Sequence, residues 1–145
     1  MSHPLHDPVF RINCLMEDID SLYHQAAFKL GVSDSVLFIL YMIHTHSGTC
    51  LLHDIYRLSG ISKQTINSAI RKLEHDGIVY LEKHNGKEKM VCLTEKGQSY
   101  ANQTAAKLLE SEYRAFRDWS AEEIDTYLHL IEKHSLSLRK QIEAL

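Results

Sequence analysis

A chain of 145 residues with 44% apolar side chains can fold around a core and is too apolar for a disordered chain. Its formal charge of −3 argues against a protein that coats nucleic acid indiscriminately. From Leu51 to Leu93, however, seven Lys or Arg stand against five Asp or Glu, a local +2 that leaves about −5 for the remainder, and such a basic patch suits a site-specific binder.

Residues Met1 to Pro8 are polar and lack the apolar core of a secretory signal, and no apolar run reaches the roughly 18 to 20 residues that span a bilayer. Cys14, Cys50 and Cys92 are an odd, widely spaced set without a C-x-x-C pattern, which fits reduced thiols better than a disulfide framework. A cytoplasmic protein with no membrane partner is expected.

The first helix is expected to start near Pro8, a residue suited to a helix's first turn, and to stop at Gly31. Phe10, Leu15, Ile19, Leu22, Tyr23, Ala26 and Leu30 recur along it at three- and four-residue steps. Ser33 can cap the next helix, whose run from Val36 to Ile43 is apolar nearly all round and should therefore be central and buried. A short helix over Leu51–Leu58 follows, with Leu52, Ile55 and Leu58 expected to face inward. Ser59-Gly60-Ile61 makes the turn, and Ser62 caps a helix running to Glu74. Helix, short Gly-containing turn and helix together make a helix-turn-helix.

On that second helix Ile66, Ala69, Ile70 and Leu73 share one face, where a core would be. The other side is left with Lys63, Gln64, Thr65, Asn67, Ser68, Arg71 and Lys72, and no carboxylate appears until Glu74. A helix that is merely soluble usually mixes Glu with Lys. An acid-free face of amides, hydroxyls and cations bonds phosphates and base edges, so this is expected to be a DNA-recognition helix.

Two strands are expected after Asp76-Gly77, over Ile78–His84 and Lys87–Leu93, joined by Asn85-Gly86 as a two-residue type I′ hairpin. In that register Lys83 faces Glu88 and Glu82 faces Lys89. The ribbon would be a wing, presenting His84, Asn85, Gly86 and Lys87 beside the recognition helix. Thr94 then caps one long helix, expected to run from Glu95 to about Arg117 with Tyr100, Ala101, Ala105, Leu108, Leu109, Tyr113 and Phe116 as buried candidates. Ser120-x-x-Glu123 forms a capping box before a last helix carrying Ile124, Leu128, Ile131, Leu138 and Ile142. The first helix and these two carry more apolar surface than one small winged domain can bury, and a second copy of the chain is the simplest cover.

In this order of elements the chain resembles the MarR family of bacterial transcriptional regulators over nearly its whole length. Two passages carry the likeness, residues Ser62 to Glu74 with Asp76-Gly77, and Val91-Cys92-Leu93-Thr94-Glu95-Lys96-Gly97 after the wing. The resemblance implies a mainly α protein. Residues 33–93 would form the winged helix-turn-helix, and 8–30 with 95–145 a helical dimerisation part. It implies a homodimer on double-stranded DNA, with an inducer site between the dimer helices and the winged part. Tyr23, His24, Tyr41, His44 and Tyr113 are the candidates to line that site, and the competing reading is that they are ordinary core and interface residues. Family wings usually carry Asp-x-Arg, whereas this chain has Asn85-x-Lys87 on a shorter wing. That departure removes the pair that orients an arginine into the minor groove, and leaves Lys87 as a phosphate contact.

In such a complex Lys63, Lys72, Lys87 and Lys89 would hold phosphates, as would Ser62 with the helix N-terminus. Gln64, Thr65, Asn67, Ser68 and Arg71 would face base edges, two such helices lying about 34–36 Å apart on a palindromic site. Arg71 has competing partners in Glu74 and Glu82. The expected protein is thus a ligand-responsive repressor without cofactor. Its alternatives are a dimeric interaction module that does not bind DNA, and a thiol- or metal-sensing regulator of the same fold. His44, His46 and His53 lie near Cys50, but without the i, i+4 spacing of a helical zinc pair. Cys14 has the competing role of a buried small hydrophobe. An enzyme is not expected, since no nucleophile elbow, phosphate-cradling loop or cleft-forming carboxylate pair is present.

Overall fold

The computed structural model describes residues 7–145, so the polar start of the chain lies outside the described residues. The fold divides into two compact units, one reaching Leu109 and one from Glu110 to Leu145.

In the first unit, helix α1 spans Pro8–Leu30. The Asp7 carboxylate accepts from the Val9 N–H at 2.8 Å, and Gly31 ends the helix in the left-handed region at φ 73°. Helix α1 buries only Ala27. Helix α2, Asp34–Thr45, is capped by the Ser33 hydroxyl on the Val36 N–H and buries Val36, Leu37, Ile39, Leu40, Met42 and Ile43. Its all-round apolarity therefore does mark the centre of the core.

The sheet has three strands rather than two. Thr49–Leu51 forms β1, which pairs antiparallel with β3 (Glu88–Leu93), and β3 pairs with β2 (Val79–His84), giving the order β1-β3-β2. Three residues are too few to show a strand's period-two pattern, so β1 is invisible in sequence. Helix α3 accordingly starts at Leu52 and runs to Ser59. Ile55 is fully buried in it, but Leu58 is 51% exposed, and Tyr56 packs on the core instead.

The hairpin register is shifted by one residue from the type I′ expectation. His84 faces Glu88, Lys83 faces Lys89 and Glu82 faces Met90, so the loop holds three residues, Asn85, Gly86 and Lys87. Asn85 takes φ 44° and Gly86 φ 79°. This register sets Val79 opposite Leu93 and Leu81 opposite Val91, four apolar side chains directed at the core. A one-residue slip would break both pairs. The facing lysines lie at the exposed tip, where water and salt screen their repulsion. Burial at the base of the wing outweighs charge pairing at its end.

After Thr94, helix α5 covers Glu95–Gln103 and helix α6 Ala105–Ala115, so the expected long helix is broken at Thr104. The buried Thr104 hydroxyl donates to the Tyr100 carbonyl at 2.8 Å, and its backbone stands at φ −125°, ψ −86°. A hydroxyl that bonds back to the i−4 carbonyl competes with the helical ladder. The start of α5 is pinned to the end of α4 (Lys63–His75): Thr94 N–H bonds the Ile78 carbonyl at 3.0 Å, and the Lys96 ammonium the Asp76 carbonyl at 2.8 Å. A Cβ on Gly97 would lie 1.9 Å from the Ile78 carbonyl oxygen, so only glycine fits this approach.

In the second unit helix α7 covers Ala121–Glu143, and its capping box is formed as expected, with Glu123 N–H on the Ser120 hydroxyl at 3.1 Å. Helix α7 buries no residue. Phe116, Trp119 and Tyr127 stack edge to face at the turn before it, with Trp119 centred 4.9 Å from Phe116 and 5.4 Å from Tyr127. Phe116 and Tyr113, expected inside, are 39% and 71% exposed. No single helix among the described residues is long and apolar enough to cross a membrane.

Candidate nucleic-acid interface

Helix α4 is rotated by its own apolar positions. Ile66, Ala69, Ile70 and Leu73 are buried against α2 and the sheet, which turns Lys63, Gln64, Thr65, Ser68, Arg71 and Lys72 outward. Ser62 caps the helix, accepting from the Thr65 N–H at 3.2 Å and lying 2.8 Å from the Thr65 hydroxyl. No acid occupies the first turn, so the partial positive charge of the N-terminus is open to an external anion. Arg71 forms no ion pair with Glu74 or Glu82, the competing partners named from sequence.

Asn67 differs from its neighbours. It is half-buried, and its carboxamide oxygen accepts a hydrogen bond from the Tyr56 hydroxyl of α3. The Lys63 ammonium lies over the same ring, 5.3 Å from its centre. Tyr56 thus touches two residues, one helical turn apart, of the face expected to meet DNA. Sequence reading missed it, because a contact across 11 residues between two helices leaves no periodic trace. At the wing tip Asn85 and Lys87 are exposed, and the Asn85 amide lies 3.4 Å from the His84 ring rather than orienting Lys87.

Four inducer-site candidates lie on α1 and α2, and Tyr113 lies on α6 in the second unit. His24 pairs with Asp34 at 2.8 Å, Tyr23 is 43% exposed, Tyr41 packs against the core and His44 is half-buried. Cys14 is exposed on α1, against the expectation of a buried hydrophobe. Cys50 and Cys92 are buried. Burial, with Asp54 adding, pushes the Cys50 thiol up to about 11, and burial with the nearby Glu82 carboxylate pushes Cys92 up as well. The described residues bring no three metal-ligating side chains together.

Residues 30–89, from the end of α1 to the wing, match the model of the MarR family. This winged segment belongs to the MarR family. Around it the fold extends the likeness to most of the chain. A MarR family regulator from Neisseria meningitidis superposes with a TM-score of 0.84 at 15% identity, over 94% of this chain and 97% of that one. A putative MarR family transcriptional regulator from Listeria monocytogenes, solved with a 26mer DNA, gives 0.68 at 20% identity, over 93% and 91%. The MepR–DNA complex of S. aureus gives 0.65 at 17% identity, over 91% and 98%. No curated protein sequence matches the chain.

Proposed function

We propose that this chain is a sequence-specific transcriptional regulator that binds a palindromic operator as a homodimer and represses until a small molecule releases it. The observation that carries the reading is the outer face of α4, exposed and free of carboxylate from Ser62 to Arg71, with its first turn open to an anion. Lys63, Lys72, Lys87 and Lys89 would pair with phosphates and provide salt-sensitive affinity. Gln64, Thr65, Asn67, Ser68 and Arg71 would face base edges, Arg71 as a fork for guanine. The Listeria monocytogenes regulator solved with 26mer DNA and the S. aureus MepR–DNA complex support the same use of this fold.

Dimerisation is supported by the apolar stripes that each unit leaves open, Ile12, Leu15, Ile19 and Leu22 on α1, and Leu128, Leu138 and Ile142 on α7. Two recognition helices about 34–36 Å apart would then occupy successive major-groove faces. An inducer acts only if it binds the non-binding spacing of these helices better than the binding one. Tyr23, His24, Tyr41 and His44 of α1 and α2 remain the proposed lining of that site.

The test is fluorescence anisotropy on duplex from the region upstream of the gene, against random duplex, across a salt series. Tighter binding to the upstream duplex, weakening steeply with salt, is the expected result. No binding to either duplex at any salt concentration favours a dimeric interaction module instead.

A further inference from the structure

We infer that Tyr56 is a specificity-determining positioning residue: its hydroxyl holds the Asn67 carboxamide so that Asn67 meets DNA as a hydrogen-bond donor only. The inference rests on the DNA-binding reading and deepens it. A free asparagine pairs bidentately with adenine, its oxygen accepting from the N6 amino group while its nitrogen donates to N7. Here the oxygen is turned toward α3 and engaged by the Tyr56 O–H. The amide nitrogen, on the other branch of the planar group, keeps both N–H donors for the outside.

Such a group matches an edge of acceptors. Guanine offers N7 and O6 and thymine O4, whereas adenine's N6 amino group finds no acceptor. At the base pair Asn67 reads, guanine or thymine is therefore preferred. The ring is held from two sides, packed on the core and covered by the Lys63 ammonium at 5.3 Å. Lys63 and Asn67 are i and i+4, so one tyrosine orders a phosphate-directed cation and a base-directed amide on the same face.

Tyr56→Phe separates the two roles. It keeps the ring, its packing and the lysine above it, and removes only the hydroxyl. The experiment selects bound sequences from random duplex with the full-length wild type, then measures affinity for every single-base variant of the selected site with wild type, Tyr56→Phe, Asn67→Ala and the double variant. Asn67→Ala loses discrimination at one position of each half-site, which locates the base pair it reads. At that position the wild type prefers guanine or thymine. Tyr56→Phe moves the preference toward adenine by on the order of tenfold, with the other positions unchanged. The double variant behaves as Asn67→Ala alone.

A Tyr56→Phe profile identical to wild type, or one weakened equally on all sequences, overturns the inference while leaving the DNA-binding reading intact. A wild type that prefers adenine at that position overturns it too. A wild type that selects no sequence overturns the DNA-binding reading and this inference with it.

Discussion

Helices α2 and α7 are both Ser-capped and carry leucines and isoleucines at helical spacing, yet they meet opposite ends. Six of the 12 residues of α2 are buried within the chain, whereas none of the 23 residues of α7 is. Each buried Leu or Ile of α2 contributes about 1.5–3 kcal/mol of apolar transfer, a gain that α7 does not realise in one chain. Periodicity therefore tells which face of a helix is apolar, but not whether the same chain supplies the surface that covers it. The winged segment closes its own core. The flanking helices α1 and α7 are left with exposed apolar side chains, which the proposed dimer would cover.

The sharpest way to break this contrast is to place the same kind of damage on both sides of it. Ile39→Ala, at a site with no solvent exposure, should lower unfolding free energy by about 2–5 kcal/mol in urea melts. Leu15→Glu on α1 and Leu138→Glu on α7, at sites 59% and 50% exposed, remove little from a single chain. They should instead convert a dimer to monomer in analytical ultracentrifugation. If both leave the sedimentation coefficient unchanged, the open stripes are not the interface.

The buried thiols sharpen the contrast chemically. Cys50 is buried while Cys14 is exposed, so in the native protein a thiol reagent should label Cys14 and spare Cys50 until unfolding. Burial raises the folded Cys50 thiol from an ordinary 9.0 to about 11, so above pH 9 the unfolded chain loses this proton first. The stability Cys50 contributes is complete below that pH and falls as pH rises toward about 11. Urea melts at about pH 8 and about pH 11 should show a drop that Cys50→Ala lessens. The smallest effect belongs to the wing. Lys87→Ala should reduce the slope of log affinity against log salt by about 1 per subunit, with the sequence preference unchanged.

How much of this was legible in the sequence follows from the range of each interaction. The Ser62 and Ser120 caps, the burial of α2 and the outward face of α4 depend on residues three or four apart, and pattern alone placed them. The wing register was not legible. Asn85-Gly86 favours a two-residue turn, but the pairing of Val79 with Leu93 and Leu81 with Val91 against the core prevails. Strand β1 exists only because β3 lies beside it. Thr104 carries a local signal, a hydroxyl within an apolar helical stretch, which could have marked the break between α5 and α6. Nothing in the spacing of Tyr56 and Asn67 foretells their contact, and it changes how one side chain of the candidate interface can hydrogen-bond.

If the acid-free face of α4 binds DNA, Arg71 is the residue whose loss shows it best. It is exposed and forms no ion pair among the described residues. Anisotropy titrations of the upstream duplex with wild type and Arg71→Ala, at one salt concentration, compare the two. Affinity should fall by about 1–3 kcal/mol in the variant, and its preference over random duplex should shrink with it. Unchanged affinity and preference would contradict it, and would move the interface away from this face of the helix.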